Sequence, residues 1–113
     1  MTELTQEKCV PCHGGVAQAT VEEIIRWRTQ IPDWHIEDPD GVPRLVRPYT
    51  FPDFAQALFF TNKVGIIAEE DGHHPAILTE WGKVTVSWWT HAIKGLHRND
   101  FVMAAKTDGL LQK

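Results

Sequence analysis

The chain has 113 residues and a net charge of -4, which fits one domain, over 1–113, with a hydrophobic core of its own. Its composition, 42% hydrophobic and 23% charged, is that of an ordinary globular protein and argues against disorder. Since no Lys/Arg cluster and no long apolar run occur, neither nucleic-acid binding nor a membrane span is expected. The N-terminus is polar and acidic rather than a secretory signal, so we expect a cytoplasmic location.

Residues 1–19 show no sustained periodicity and are predicted to form a loosely structured arm. Both cysteines, Cys9 and Cys12, lie there in C-V-P-C-H. This is the haem-attachment pattern of c-type cytochromes, and a C-x-x-C pair also suits redox chemistry or zinc. Without an export signal or a strand before the pair, we favour two reduced thiols in a small turn.

A short helix and a hairpin are predicted next. Thr20 opens a capping box for a helix that ends before Pro32. The predicted apolar face of this helix carries Val21, Ile24, Ile25 and Arg28. Residues 34–37 and 44–50 then read as two strands joined by a loop of about six residues.

The longest predicted helix follows the cap signal Thr50-Phe51-Pro52-Asp53, which puts Pro52 in the first turn, and it runs to about Asp71. Gly72 is expected to end it, because glycine accepts the left-handed backbone found there. The helix is apolar on more sides than one sheet face can cover. We therefore expect a second subunit against its outer side.

Two more strands and a last helix complete the chain. Residues 76–81 and 83–90 predict a hairpin that turns at Gly82 and directs Val84, Val86 and Trp88 toward the helices. Asn99 is the predicted N-cap of a helix that ends near Gly109. The order α-β-β-α-β-β-α predicts an α+β fold, with helices gathered on one face of an antiparallel sheet.

Four of the six histidines lie between Glu69 and Asp100. Histidine can both give and take a proton near neutral pH, because its unperturbed pKa is about 6.5. Gathered around a pocket, His73, His74 and His91 would suit a reaction that delivers one proton and removes another. A zinc site formed by the three is an alternative. The remaining histidines, His13, His35 and His97, are expected at the surface.

The spacing E-x3-H-H-P-x5-W-x9-H-x8-D runs from Glu69 to Asp100 and is complete. This signature resembles that of the pterin-4a-carbinolamine dehydratase family, also called 4a-hydroxytetrahydrobiopterin dehydratases. C-V-P-C-H-G-G, I-P-D-W and the run from residue 80 to residue 101 are similar to bacterial members associated with phenylalanine hydroxylase. The resemblance covers roughly residues 7 to 108.

The resemblance implies a four-stranded antiparallel sheet with three helices on one face, and dimers or tetramers. It implies a pterin substrate, with neither a metal nor a bound organic cofactor. It places His73, His74 and His91 in the active site. It also places Gly72, Trp89 and Thr90 along the pterin, and Trp34 at the mouth of the site. We expect Glu69 and Asp100 to lie behind the histidines, holding imidazoles or capping a helix.

Two functions are therefore open. The first is an enzyme that dehydrates the carbinolamine product of an aromatic amino-acid hydroxylase, so that the pterin can be reduced again. The second is a binding role, since some members of the family are dimerisation partners of a transcription factor and others are assembly proteins. The intact histidine set favours the enzyme.

Overall fold

A computed structural model describes residues 4–6 and 18–112. The predicted order α-β-β-α-β-β-α is confirmed. The helices and strands are α1 (Val21–Arg28), β1 (His35–Glu37), β2 (Arg44–Thr50), α2 (Phe54–Asp71), β3 (Ala76–Glu80), β4 (Lys83–Trp88) and α3 (Arg98–Gly109). The cysteine motif with Cys9, Cys12 and His13 lies outside the described residues.

The four strands form one antiparallel sheet in the order β1-β2-β4-β3. Both predicted hairpins are therefore confirmed, and their second strands meet in the middle of the sheet. Leu45 on β2 lies opposite Trp88 on β4, and Ile77 on β3 lies opposite Val86. Val84, Val86 and Trp88 are fully buried in the core that the sheet shares with the helices, as their alternation predicted.

The predicted apolar face of α1 is wrong in part. The capping box at Thr20 is present, but Val21 and Ile25 are 69% and 65% exposed. The helix instead buries Trp27, whose ring centroid lies 5.3 Å from that of Phe101 on α3. The large indole has more apolar surface to remove from water than either aliphatic side chain, so it decides which face turns inward.

Helix α2 packs on the sheet through one stripe and leaves a second apolar surface uncovered. Ala57, Phe60, Val64 and Ala68 are buried at the spacing of a single helix face. The large apolar side chains exposed on α2 are Phe54, Leu58, Phe59 and Ile66. Across the described residues, no helix is long and apolar enough to cross a bilayer.

Helix α3 begins earlier than predicted. It starts at Arg98 and its N-cap is His97, not Asn99. Its predicted inward residues Phe101, Val102, Ala104 and Ala105 are all buried.

Near the end of α3, Asp108 Oδ1 accepts hydrogen bonds from Trp34 Nε1 (3.0 Å), Arg47 Nη1 (2.7 Å) and Tyr49 Oη (2.6 Å). Burial, and then this carboxylate, raise the pKa of Tyr49 well above its usual value, so its hydroxyl remains a donor.

Leu4 shows that part of the N-terminal arm is packed. Residues Leu4–Gln6 form a short 3-10 turn, and the Leu4 side chain is completely buried in the core. The Leu4 N–H donates to Gln30 Oε1 at 2.9 Å. At the other end of the arm, Ala19 N–H donates to the carbonyl of Leu96 at 2.7 Å. These contacts tie both described ends of the arm to the body of the protein.

Candidate active site

The end of α2 fixes the backbone of His73. Gly72 adopts the left-handed conformation (φ 62°, ψ 30°), as predicted. Its N–H donates to the carbonyl of Glu69 at 3.3 Å, and the N–H of His73 donates to that of Ala68 at 3.1 Å. These two bonds form a Schellman motif, which ends the helix and pairs two of its last carbonyls. Pro75 then favours an extended backbone at the preceding residue, and the chain enters β3.

Asp100 joins the two histidine-bearing segments. Its side chain is fully buried, and Oδ1 lies 2.7 Å from His73 Nε2. Oδ2 accepts from Thr90 Oγ1 at 2.8 Å and from the backbone N–H of His97 at 2.9 Å. Because Thr90 immediately precedes His91, one carboxylate holds both the segment after α2 and the segment after β4. Asp100 therefore contacts the His73 ring and also takes part in the N-terminal cap of α3.

The Trp88 indole fixes the orientation of the His73 ring. Its imidazole lies parallel to the Trp88 indole, with ring centroids 5.8 Å apart and an interplanar angle of 7°. Trp88 is itself fixed, since its Nε1–H donates to Thr107 Oγ1 on α3 at 3.1 Å. A carboxylate accepts hydrogen bonds, so His73 places a proton on Nε2. In the neutral ring this leaves Nδ1 as the basic nitrogen.

His74 lies in a different environment. Its Nε2 is 2.6 Å from Glu69 Oε1, and the two side chains are 59% and 79% exposed. An ion pair this open to solvent contributes little to stability. Its place is instead fixed by sequence, directly after His73 and before Pro75. The exposed imidazole can meet a ligand from solvent without any buried group moving.

His91 follows β4 and rests on an aromatic ring. The ring centroids of Trp89 and His91 are 4.4 Å apart, at an angle of 40°. Backbone bonds between Thr90 and Gly95, Thr90 N–H to O at 2.9 Å and the return at 3.4 Å, close the turn that presents the histidine. The predicted strand up to Thr90 ends two residues earlier, because this local bridge replaces pairing with the sheet.

His97 was predicted to lie at the surface, but it is the N-cap of α3. It is half-buried, and its Nδ1 accepts the N–H of Asn99 at 3.1 Å, in a capping box with Asp100. Burial is the main cause of the lowered pKa of His97. Asp100 and Glu23 act to raise this pKa, and His73 acts to lower it. The spacing H-x-x-D, an acceptor followed three residues later by an acid, is the signal that could have identified this cap.

Trp34 is placed away from these contacts. The resemblance put it at the mouth of the site, yet its side chain is only 1% exposed. Its indole N–H donates to Asp108, and its ring meets Tyr49 edge-on at 6.2 Å. In the chain as described, Trp34 is a core residue that ties β1 to the end of α3.

Three surface cavities are formed by described residues, and two of them include a residue that contacts or neighbours the site. One of about 630 Å³ lies between α2 and β3 and includes Glu69. Another, of about 350 Å³, lies beside α1 and includes His97. The third, of about 280 Å³, lies beside Phe59 and Leu110. None of the three is lined by His73, His74 or His91. Among the residues the structure describes, no group of three or more His, Cys, Asp or Glu side chains is arranged to hold a metal ion.

The family model and the similar relatives all indicate the same protein family. Residues 17–110 match the model of the family described as pterin 4 alpha carbinolamine dehydratase. A protein of Syntrophotalea carbinolica is 61% identical over 99% of this chain and 100% of its own length. One of Microcystis aeruginosa is 55% identical over 100% of this chain and 97% of its own. Both carry the name pterin-4-alpha-carbinolamine dehydratase as a provisional assignment.

Two solved structures have a similar fold. A transcriptional coactivator/pterin dehydratase from Brucella melitensis superposes with a TM-score of 0.73 at 26% identity, covering 83% of this chain and 98% of that one. A pterin dehydratase-like RuBisCO assembly factor of the alpha-carboxysome gives a TM-score of 0.59 at 24% identity, covering 69% and 88%. The second likeness concerns the fold alone. With its sequence matched almost from end to end, the chain belongs to the pterin 4 alpha carbinolamine dehydratase family.

Proposed function

We propose that the chain is a hydro-lyase that dehydrates a pterin 4a-carbinolamine by histidine acid–base catalysis. The hydroxyl on C4a leaves as water after receiving a proton, the proton on N5 is removed, and the C4a–N5 double bond forms. One proton is delivered and one is taken, so the reaction needs no oxidant. The family and its similar relatives support this reaction class.

The observation that carries the proposal is the buried Asp100–His73 pair. A carboxylate that accepts a hydrogen bond from Nε2–H orients the imidazole, which suits a group that both takes and returns a proton. Thr90 connects the same carboxylate to the turn that carries His91. We therefore give the two proton-transfer roles to His73 and His91. His74, exposed beside Glu69, would orient the pterin and stabilise charge on it.

Three alanine variants test these roles. His73→Ala and His91→Ala are expected to lower kcat by roughly 10²–10⁴-fold each, the usual contribution of a positioned acid or base. His74→Ala should mainly raise KM. The readout is the dehydration rate of a 4a-hydroxytetrahydropterin with and without protein. His35→Ala, on the exposed edge strand β1, is the matched control. Near-wild-type rates in all three variants would refute the histidine mechanism.

The proposed substrate is the 4a-hydroxytetrahydrobiopterin that an aromatic amino-acid hydroxylase releases. Support comes from the resemblance of the N-terminal motif and of the run around Trp81–Asp100 to members associated with phenylalanine hydroxylase. The enzyme would then serve tetrahydrobiopterin recycling. With limiting pterin, adding the protein to a phenylalanine hydroxylase and a dihydropterin reductase should raise tyrosine formation. An unchanged rate would count against this role while leaving the dehydration assay intact.

A second proposal concerns the uncovered side of α2. Phe59 and Ile66 are 63% and 59% exposed there, and Leu78 on the edge strand β3 is 58% exposed. A surface of this kind marks an interface more often than free solvent contact. We propose that a second copy of the chain covers it, giving a homodimer or homotetramer. In sedimentation, Phe59→Ser should dissociate the oligomer, whereas Val21→Ser on exposed α1 should not. A monomeric wild-type protein would exclude this.

A further inference from the structure

The pairing of β2 with β4 brings Arg44 and Trp89 together. Leu45 lies opposite Trp88 in this antiparallel ladder. Arg44 and Trp89 are the residues next to this last pair of the ladder, and Trp89 lies just beyond the end of β4. Cζ of Arg44 lies over the Trp89 ring, 4.0 Å from its centroid. The contact therefore lies at the end of the β2–β4 ladder, where the register of the two strands brings these residues close.

In the described part of the chain, the Trp89 ring is the contact that holds the Arg44 guanidinium. Its Nε is buried, and no hydrogen-bond partner for it is found in the part of the chain that the structure describes. Buried polar atoms almost always have a partner, so an exception calls for an explanation. A planar guanidinium stacks well on an aromatic face, and this cation–π attraction offsets the missing hydrogen bond.

His91 depends on Trp89 in turn. Its ring centroid is 4.4 Å from that of Trp89. Within residues 4–6 and 18–112, neither ring nitrogen of His91 has a hydrogen-bond or ion-pair partner, whereas His73 and His74 each have a carboxylate. The χ2 angle of histidine is intrinsically broad. The indole is thus the contact that limits rotation of this imidazole.

We propose that Arg44 is a positioning residue for His91 and acts through Trp89. The inference rests on the proposed dehydratase function. Arg44 holds the indole in one orientation, and the indole holds the imidazole where it exchanges a proton with the pterin. A proton-transfer group works only within a narrow range of distance and angle, so a freely rotating ring would lose rate without losing its chemistry.

The first test measures the imidazole directly by NMR. The Cε1 proton of His91, identified by its loss in His91→Ala, should be shifted upfield by the ring current of the nearby indole. Trp89→Leu should remove this shift, and Arg44→Met should reduce it. Arg26→Met is the matched control, because Arg26 lies over Trp27 at 5.8 Å on exposed α1. An unchanged His91 signal in Arg44→Met would overturn the inference.

The second test separates orientation from fold by kinetics. Arg44→Met should lower kcat about tenfold with KM changed less than about twofold, since the proton-transfer geometry is lost but the pterin contacts are not. Arg44→Lys, which retains a cation over the ring, should recover kcat to within about threefold of wild type. A lysine variant no better than the methionine variant would overturn the stacking role.

Two further measurements keep the inference testable. If Arg44→Met does not fold, as judged by thermal unfolding, Trp89→Phe must retain more kcat than Trp89→Leu, because only phenylalanine keeps a ring under the imidazole. Equal losses would overturn the inference. If the wild-type protein has no dehydratase activity, the proposed function fails, and the NMR shift still decides whether Arg44 orients His91.

Discussion

The buried Asp100 carboxylate stabilises the fold and also keeps the proton of His73 on Nε2. The variant Asp100→Asn separates these two effects. The variant has the same shape but only one acceptor oxygen. That oxygen can still accept from Thr90 and from the N–H of His97, which lie 2.8 Å and 2.9 Å from Oδ2. The amide NH₂ then faces His73 Nε2, which must become the acceptor. The neutral ring shifts to its other tautomer, with the proton on Nδ1.

The expected magnitudes follow from the three contacts. Hydrogen bonds to a charged group contribute about 1.5–3 kcal/mol and neutral ones about 0.5–1.5 kcal/mol, so exchanging three of them destabilises the fold by roughly 3 kcal/mol. Stability should remain positive, since a domain has about 5–15 kcal/mol. The wrong tautomer removes a general base, which should lower kcat by roughly 10²–10⁴-fold. Asp100→Ala would instead leave three donors unpaired, and we expect it not to fold.

The assay is the dehydration rate per folded molecule, with folding checked by urea unfolding. The control is a double-mutant cycle with His73→Ala. If Asp100 acts through His73, the double variant should be no slower than His73→Ala alone. A folded Asp100→Asn enzyme with kcat within about threefold of wild type would refute the reasoning. So would losses that multiply in the double variant, because they would show that the two residues act independently.

Three other outcomes are expected. Burial lowers the pKa of His97 in the folded chain, so its contribution to stability is present above the unfolded value of about 6.5 and is lost as pH falls through the folded value. Between pH 7.5 and pH 5.5, wild type should therefore lose more free energy of unfolding than His97→Asn, which keeps an acceptor for the Asn99 N–H; equal losses would contradict this. Trp34→Phe removes one donor to Asp108 and should lower stability by about 1 kcal/mol with KM unchanged, whereas a raised KM would place Trp34 at the pterin. Gly72→Ala meets no neighbour within 4 Å, so its cost in urea unfolding should be the left-handed backbone alone, about 1–2 kcal/mol, and a loss near zero would contradict the strain argument.

Local signals in the sequence predicted most of the fold. The capping box at Thr20 and the left-handed Gly72 each depend on residues within one helical turn, and both are confirmed. The cap signal at residues 50–53 predicted the start of α2 too early, because the helix begins at Phe54 with Asp53 as its N-cap, and Pro52 lies before the first turn. Strand β2 was predicted to the residue, because its alternation is bounded by turn-forming residues on one side and a cap on the other. The exposed outer side of α2 was also expected from its width, although its occupant stays a prediction.

Features that depend on packing between distant segments could not be predicted from the sequence. The inward face of α1 depends on where Trp27 finds Phe101, about seventy positions away in the chain. The Arg44–Trp89 contact requires the register of β2 on β4, which no local pattern specifies. The N-cap at His97 was missed because asparagine is the commoner cap, while the structure also needed an acid three residues later.

Under the proposed mechanism, the double use of Asp100 makes activity depend on the integrity of one helix terminus. The same carboxylate closes the first turn of α3 and holds His73, so fraying of that turn releases the imidazole. Activity should then disappear at denaturant concentrations where the remainder of the core is still folded. Hydrogen exchange would show this as loss of protection at the amides that open α3 ahead of those in β4.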